Sequence, residues 1–347
     1  MTKNLTLYTI PPEAEKGAGH LKNKERLFTM KAYLDILQYC LEKGTLSDNR
    51  TDIPTIRISS GARFEHDMEN GFPLLTTKKM GLKNISTELE FFIKGYTDKK
   101  WLQDRKCHIW DEWATKPKCE ETYRQKAISL AIEKQQKLTD EEHKQLKNEC
   151  MDNERDLGPV YGWQWRHFGG EYRWNPENPE QNFNPDKPGV DQMAYIVETA
   201  KKDSTNRRYL VSAWNPVDQN SMALPPCHVM HQVLIHNGKL NLTWTQRSCD
   251  MFLGVPYNIA SYALLLMLYA KELGCKPGIL CGELHDVHIY ENHIDQVKEQ
   301  LSREPYELPT VEIPDKNWNG MLNWSAKDGF TLKDYVCHSA IKGEVAR

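Results

Sequence analysis

Apolar residues recur at helical spacing in three stretches of the chain. Within residues 27–43 and 84–94 they fall every three or four positions and so define one face of an amphipathic helix. Within residues 258–273 they occur nearly all round, which is typical of a helix buried on every side. A glycine follows each stretch, and glycine readily adopts the left-handed conformation that ends many helices. The predicted helix ends are Gly44, Gly95 and Gly274.

The strongest strand signal is a pair of β-rich runs, residues 231–235 and 240–244. They flank Asn237-Gly238, a dipeptide typical of a two-residue hairpin turn. Residues 53–64 lean towards strand more weakly, and residues 305–347 indicate short strands and loops. Neither an internal repeat nor a clear linker divides the chain. The pattern therefore predicts a single α+β domain.

Three polar segments are expected to lie outside this core. Residues 1–24 contain two prolines and predict a loose N-terminal arm, which leaves residues 25–347 as the domain. Residues 114–155 are highly charged, and Thr139-Asp140-Glu141-Glu142 fits a capping box at the start of a helix, so they predict a helical hairpin inserted at the surface. Residues 168–190 are rich in Asn, Pro and Gly and predict a loop.

Charge and cysteine content restrict the possible functions. The 347 residues carry a formal charge of -3, which provides no general attraction to nucleic acid or to a membrane, so an anionic ligand would need cations placed locally. The nine cysteines form no CxxC pair, and no apolar run approaches the length of a membrane span, about 18 residues. Because the chain starts without an apolar leader, it is expected in a reducing cytoplasm, with free thiols and no metal.

Cys227 differs from the other cysteines because Pro225-Pro226 precede it and His228 follows. Proline restricts the backbone, so the sequence predicts a rigidly held thiol. A nucleophilic cysteine needs thiolate character, which nearby cations favour. Arg207-Arg208 and Arg247 are candidates, and their guanidinium groups could also hold a phosphate. A metal site would lack ligand-spaced partners, whereas spacing alone leaves open a cysteine hydrolase, which needs a histidine and an orienting group.

A series of ordered motifs extends from residue 48 to the C-terminus, outside residues 114–155 and 168–190. The runs are 71–79, 109–113, 157–162, 212–216, 222–228, 246–262, 286–290 and 302–305. In these runs the chain resembles the thymidylate synthase family. The resemblance implies one domain built on a large twisted mixed β-sheet packed with helices. It also implies an obligate homodimer that forms through the sheet and shares its active sites. A non-catalytic relative would be expected to lose Cys227, Arg247 or Asn258, and all three are present.

The resemblance also implies a covalent mechanism with 5,10-methylenetetrahydrofolate as cosubstrate. A cysteine adds to C6 of a pyrimidine nucleotide, and C5 then takes up the one-carbon unit. The implied catalytic residues are Cys227, Glu88, Tyr161, Asn258, Asp250 and His228. Those implied for the nucleotide are Arg50, Arg247, Ser248, Asn258, His288 and Tyr290, together with Arg207 and Arg208 from the other subunit. Those implied for the folate are Ile109, Trp110, Trp113, Leu224, Asp250, Leu253, Gly254, Tyr257 and Ala346.

Asn258 bears on the choice of nucleotide. An amide both donates and accepts hydrogen bonds, so it matches O4 and N3–H of uracil. Relatives that act on cytosine nucleotides are expected to carry aspartate at this position. The sequence therefore favours dUMP over dCMP.

Several positions depart from a typical thymidylate synthase. The phosphate loop contains Asp52 and Pro54 where synthases carry a glycine-rich RTGTGT, and Arg347 is the last residue where synthases end on a small apolar one. Further departures are Glu90, Trp163 and His285. The altered loop and two of the altered runs resemble the phage hydroxymethylase branch, in which water adds to the C5-methylene intermediate. We therefore expect a dUMP 5-hydroxymethylase of a phage, working in the bacterial host cytoplasm, with thymidylate synthase as the alternative.

Overall fold

The computed structural model describes residues 28–51, 53–327 and 329–345. The arm expected at residues 1–24 lies outside this range, as do Asp52, Ala346 and Arg347.

Six helices follow one another in the middle of the described chain, and the strands lie before and after them. The helices are α1 (Lys31–Lys43), α2 (Leu82–Ile93), α3 (Lys99–Asp104), α4 (Lys116–Lys134), α5 (Asp140–Asn153), α6 (Tyr161–His167), α7 (Gln192–Ala200), α8 (Gly254–Leu273) and α9 (Ile294–Leu301). The strands are β1 (Thr45–Ser47), β2 (Thr55–Ile58), β3 (Ala62–Asp67), β4 (Leu210–Ser212), β5 (His228–His236), β6 (Lys239–Asp250), β7 (Lys276–Tyr290), β8 (Thr310–Glu312) and β9 (Thr331–Lys333).

A seven-stranded mixed sheet forms the centre of the fold. Its strand order is β1-β2-β7-β6-β5-β4, and β3 pairs with a further part of the long β7. The β6–β7 pair is parallel and the other pairs are antiparallel, while β8 and β9 form a separate small sheet. This arrangement confirms the predicted α+β class and mixed sheet. Because β6 and β7 are parallel, their carboxyl ends lie at the same edge, where Ser248 pairs with Asp286 and Asp250 with His288.

The Asn237-Gly238 turn joins β5 to β6 as predicted. Both residues have positive φ, 49° at Asn237 and 73° at Gly238, which suits the right-handed twist of a two-residue hairpin.

Two of the three predicted left-handed helix ends are confirmed. Gly95 and Gly274 have φ of 73° and 66°. Helix α1 does end at Gly44 as predicted, but φ of this glycine is -66°, so the end is extended rather than left-handed and the chain passes directly into β1. Glycine is needed there for close packing instead, since a Cβ would lie 2.5 Å from the carbonyl oxygen of Cys40.

Helix α8 is the central helix of the core. It packs against β6, β7 and α2, and its run Leu264–Leu265–Leu266 is fully buried. Burial of each leucine side chain stabilises the fold by about 2 kcal/mol. Within the described ranges, no helix is both long enough and apolar enough to cross a membrane.

The charged segment folds into an antiparallel pair of helices, α4 and α5. The capping box is present at the start of α5, where the Thr139 hydroxyl accepts from the amide of Glu142 and the Glu142 carboxylate accepts from the amide of Thr139. Residues 168–190 are mostly irregular and include two isolated bridges, Phe168 with Val190 and Tyr172 with Phe183.

Candidate active site

A cavity of about 740 Å³ opens where the carboxyl ends of β6 and β7 lie beside the start of β5. Helices α2, α6 and α8 contribute side chains to its wall. The cavity brings together most of the residues that the sequence singled out. They are Arg50, Glu88, Ile109, Trp110, Trp113, Tyr161, Leu224, Cys227, His228, Arg247, Ser248, Asp250, Gly254, Asn258, His288 and Tyr290.

The backbone of Cys227 is held by hydrogen bonds at both its amide nitrogen and its carbonyl oxygen. Its amide donates to the hydroxyl of Tyr161 at 2.7 Å, and its carbonyl accepts from the amide of Arg247 at 2.8 Å. The guanidinium of Arg247 donates to the carbonyl oxygens of Pro225 and Pro226, each at 2.9 Å. The rigid backbone predicted from the two prolines is therefore reinforced by an arginine that lies across it.

The protonation of the Cys227 thiol differs from the sequence-based expectation. Burial raises the pKa of this thiol, and the positive charge of Arg247, the Tyr161 hydroxyl and the charge of Arg50 oppose the rise only in part. Of the cations expected from the sequence, Arg247 is present at the thiol, but desolvation outweighs its effect.

Glu88 lies on α2 and faces the cavity. Burial raises the pKa of its carboxyl to about 7, while a hydrogen bond from the indole nitrogen of Trp110 at 2.7 Å opposes this rise. A carboxyl with such a pKa exchanges its proton near neutral pH, as a general acid–base group must.

Tyr161 and His228 form an aromatic group beside the thiol. The ring of Tyr161 stacks on Phe92 at 4.9 Å and lies 4.3 Å from the ring of His228. His228 shares a hydrogen bond of 2.8 Å with Tyr262, and burial lowers its pKa to about 3. Its imidazole is therefore neutral at physiological pH and suits a role in packing and hydrogen bonding.

Polar side chains form the part of the cavity expected to hold the nucleotide. The side-chain oxygen of Asn258 accepts a hydrogen bond of 3.0 Å from the side-chain amide nitrogen of Gln246. This bond fixes the orientation of the Asn258 amide plane. The imidazole of His288 is bonded to the carbonyl oxygen of Asp286 at 3.0 Å. Asp250 accepts from the amides of Phe252 and Leu253, each at 3.0 Å, and so shapes the turn into α8.

Apolar side chains form another wall of the cavity, which is lined by Ile109, Trp110, Trp113 and Leu224. Their contact with the folate stays a prediction.

Some expected residues lie elsewhere. Leu253 and Tyr257 are half-buried but do not line the cavity, and Ala346 is outside the described residues. Arg207 and Arg208 are exposed on the loop before β4 and do not reach the cavity of their own chain. Their role in the other subunit's site stays a prediction.

The structure also adds residues that the sequence did not single out. Asn49 accepts from the amide of Thr51 at 2.7 Å and so shapes the loop that carries Arg50. Arg57 forms a bidentate ion pair with Asp286, with contacts of 2.6 and 3.1 Å. An Asn just before Arg50 was a detectable turn signal, whereas the Arg57 pair depends on strand register. The further lining residues are Asp48, Thr55, Phe92, Ala223 and Gln246.

The cavity therefore groups a thiol with a carboxyl of raised pKa, a side-chain amide and aromatic side chains. The chain belongs to the thymidylate synthase family, whose model matches residues 31–347, so it is a one-carbon transferase. No group of three or more potential metal ligands occurs among the residues that the structure describes.

Named relatives agree with this assignment. The thymidylate synthase of Mycoplasma pneumoniae is 40% identical over 317 residues, which cover 91% of this chain and 100% of the relative. That of Malacoplasma penetrans is 40% identical over 319 residues, with the same coverage. The bifunctional dihydrofolate reductase-thymidylate synthase of Paramecium tetraurelia is 38% identical over 314 residues, which cover 90% of this chain and 60% of that longer protein.

Proposed function

We propose that the protein methylates C5 of dUMP to form dTMP, with 5,10-methylenetetrahydrofolate as cosubstrate. Cys227 lines one cavity together with Asn258 and Trp110, and this grouping is the observation that carries the C5 chemistry. The nucleotide lies with its base against Asn258, its sugar against His288 and Tyr290, and its phosphate against Arg50, Arg247 and Ser248.

The first chemical step is addition of the Cys227 sulfur to C6 of the uracil. The new C–S bond makes C5 an enolate carbon, and negative charge develops on O4. Asn258 and water held by Glu88 stabilise that charge, because positioned donors in a buried site need no reorganisation. Burial raises the pKa of the Cys227 thiol. The bound substrate and the proton acceptors around the thiol must therefore favour loss of the thiol proton.

The folate supplies the carbon at the oxidation level of formaldehyde, and C5 attacks it. The resulting adduct links C5 to the folate nitrogen through the new CH2 group. Loss of the C5 proton, beside Tyr161, and cleavage of the CH2–N bond then release tetrahydrofolate and leave a C5-methylene group. The two members of the family diverge at this point. Hydride transfer from tetrahydrofolate to the methylene carbon gives dTMP and dihydrofolate, whereas addition of water gives 5-hydroxymethyl-dUMP and leaves tetrahydrofolate. In both cases the C6–S bond then breaks and the Cys227 thiol is regenerated.

Three of the departures that favoured hydroxymethylation lie away from the cavity. Glu90 accepts from the amide of Ala326 at 2.8 Å. Trp163 is buried and donates to the carbonyl oxygen of Asn182, and His285 is exposed. Glu90 and Trp163 make hydrogen bonds within the fold, and His285 lies at the surface. These three positions therefore lend hydroxymethylation no support. The two relatives at 40% identity are named thymidylate synthases, and the bifunctional one at 38% includes that name, which favours methylation.

Hydroxymethylation is the second candidate because Pro54 stands in the phosphate loop, which resembles that branch of the family. The carbonyl of Pro54 accepts from the amide of Glu291 at 2.8 Å. A site that admits water would direct the methylene intermediate to the hydroxymethyl product.

The product assay separates the two candidates. Purified protein with dUMP and methylenetetrahydrofolate is expected to form dTMP and dihydrofolate in equal amounts, measured by chromatography of both products. Formation of 5-hydroxymethyl-dUMP with tetrahydrofolate would overturn the proposal in favour of the hydroxymethylase. Absence of any C5 product would contradict both.

A second test concerns the choice of base. Asn258→Asp is expected to lower the preference for dUMP over dCMP roughly 10²-fold, measured as the ratio of the two kcat/KM values, because a carboxylate accepts from the amine of cytosine but cannot donate to O4. Asn323→Asp, an exposed asparagine outside the cavity, serves as the control. An unchanged ratio in the Asn258 variant would remove its base-reading role.

The proposal includes a homodimer. Leu210 and Leu234, on neighbouring strands at one end of the sheet, are 38% and 39% exposed, and Arg207 and Arg208 precede β4 on the same edge. A second copy packed there would cover the leucines and allow the arginines to enter its phosphate site.

A further inference from the structure

Lys99 is the first residue of α3 and is only 1% exposed. Its ammonium donates to three backbone carbonyl oxygens, those of Asp111 at 2.8 Å, Trp113 at 3.2 Å and Met151 at 2.8 Å. Burial lowers the pKa of this amine, and nearby acidic groups oppose the fall. Moving an ammonium group out of water costs free energy. We therefore expect the contacts of the buried Lys99 to have a structural or functional role.

The three carbonyls belong to two separate parts of the molecule. Asp111 and Trp113 lie in the loop that carries the aromatic wall of the cavity, whereas Met151 lies in the last turn of α5, in the charged insert. Carbonyls in the last turn of a helix have no partner within the helix, and the helix dipole favours a cation there. Lys99 therefore joins the insert to the wall through one side chain.

The surrounding contacts make this connection stiff. The amide of Lys99 donates to the carbonyl of Arg155 at 3.0 Å, and Arg155 forms an ion pair with Asp98. Asp156 accepts from the amides of Thr115, through its carbonyl, and of Gly158, through its carboxylate. Both ends of the insert are thus fastened beside α3.

The wall in turn touches the acid–base group. Trp110 lies in the same loop and donates to Glu88. A displacement of the loop would change both the surface offered to the folate and the hydrogen bond on Glu88.

We propose that Lys99 is a positioning residue that couples the α4–α5 insert to the folate wall. The insert then serves folate binding, although none of its own residues in α4 or α5 lines the cavity. This inference rests on the proposed function, because its readout requires folate turnover.

The test compares Lys99→Met with Lys100→Met, which makes the same change at the exposed neighbour on α3. Lys99→Met is expected to raise KM for methylenetetrahydrofolate about tenfold, since a small displacement of a positioning element is enough for such a loss. The Kd for dUMP alone, measured by calorimetry, is expected to stay within about twofold. Lys100→Met should leave both unchanged.

A purely structural role would reduce the amount of active enzyme and its melting temperature but leave KM for the folate unchanged, and that result would overturn the inference. Absence of turnover by the wild-type protein would instead contradict the proposed function. If Lys99→Met does not fold, Lys99→Gln keeps a donor and is expected to show a smaller rise in the same KM.

Hydrogen exchange in the wild-type protein provides a measurement that needs no variant. Addition of dUMP with tetrahydrofolate is expected to slow amide exchange in residues 109–115 and, together with it, in residues 148–153 at the end of α5. Slowing confined to residues 109–115 would show that the insert is not coupled to the wall.

Discussion

Replacing Cys227 with serine should lower kcat roughly 10³-fold or more, the scale expected when a covalent nucleophile is removed. Serine has nearly the same shape, so the cavity and the backbone contacts of residue 227 should persist. Its hydroxyl is a far weaker nucleophile towards C6. Cys227 is the one cysteine that lines the cavity within the described chain, so no second thiol is placed to replace it.

The covalent bond itself can be observed. With methylenetetrahydrofolate and a dUMP analogue that carries fluorine at C5, the C5 substituent cannot leave as a proton does, so the adduct accumulates. Denaturing mass spectrometry should show the adduct on the wild type and on a Cys275→Ser control, whose half-buried thiol lies outside the cavity. The Cys227→Ser variant should show none. An adduct on that variant, or turnover near the wild-type rate, would exclude Cys227 as the nucleophile.

Much of the candidate site could be predicted because its residues lie within long local motifs. The run 246–262 alone carries Arg247, Ser248, Asp250 and Asn258. The Asn237-Gly238 turn and the periodicity of α8 are also local signals, and the structure contains both.

Other features depend on relations that the sequence does not show. Arg57 and Asp286 are 229 residues apart and meet because β2 and β7 pair in one particular register. Two residues on one helix can also have unlike surroundings. Glu88 and Glu90 are two positions apart on α2, which places them on different faces, so only Glu88 reaches the cavity. The departure at Glu90 therefore gives hydroxymethylation no support.

The protonation of Cys227 shows a similar difficulty. Cations can be counted in a sequence, and Arg247 and Arg50 are indeed near. Burial depends on the whole fold, and here it determines the direction of the pKa shift. Arg207 and Arg208 differ from these two cations because they lie outside the cavity of their own chain. Their proposed site belongs to another copy of the chain.

Glu88 connects the stability of the protein with its activity. Its carboxyl has a pKa of about 7 in the folded protein, against an ordinary value of 4.5. The folded state therefore binds this proton more tightly than the unfolded state. As pH rises from below 4.5 to above 7, the folded protein loses up to about 3 kcal/mol of stability through this one group.

Glu88→Gln should consequently remove this loss of stability at high pH. The variant keeps a neutral side chain at every pH, so the difference in free energy of unfolding between variant and wild type should shift in favour of the variant by up to about 3 kcal/mol between acid and alkaline conditions. Urea denaturation at a series of pH values measures this. The exposed Glu133→Gln on α4 is the control and should show no such trend.

The same variant should lose roughly 10²-fold to 10⁴-fold in kcat, because an amide can neither give up nor take up the proton that the developing charge on O4 requires. The step in the wild-type pH–rate profile near pH 7 should disappear with it. A variant that is slower but no more stable at high pH would mean that the wild-type carboxyl is not desolvated. A variant that is more stable but equally active would mean that Glu88 is buried without a role in proton transfer.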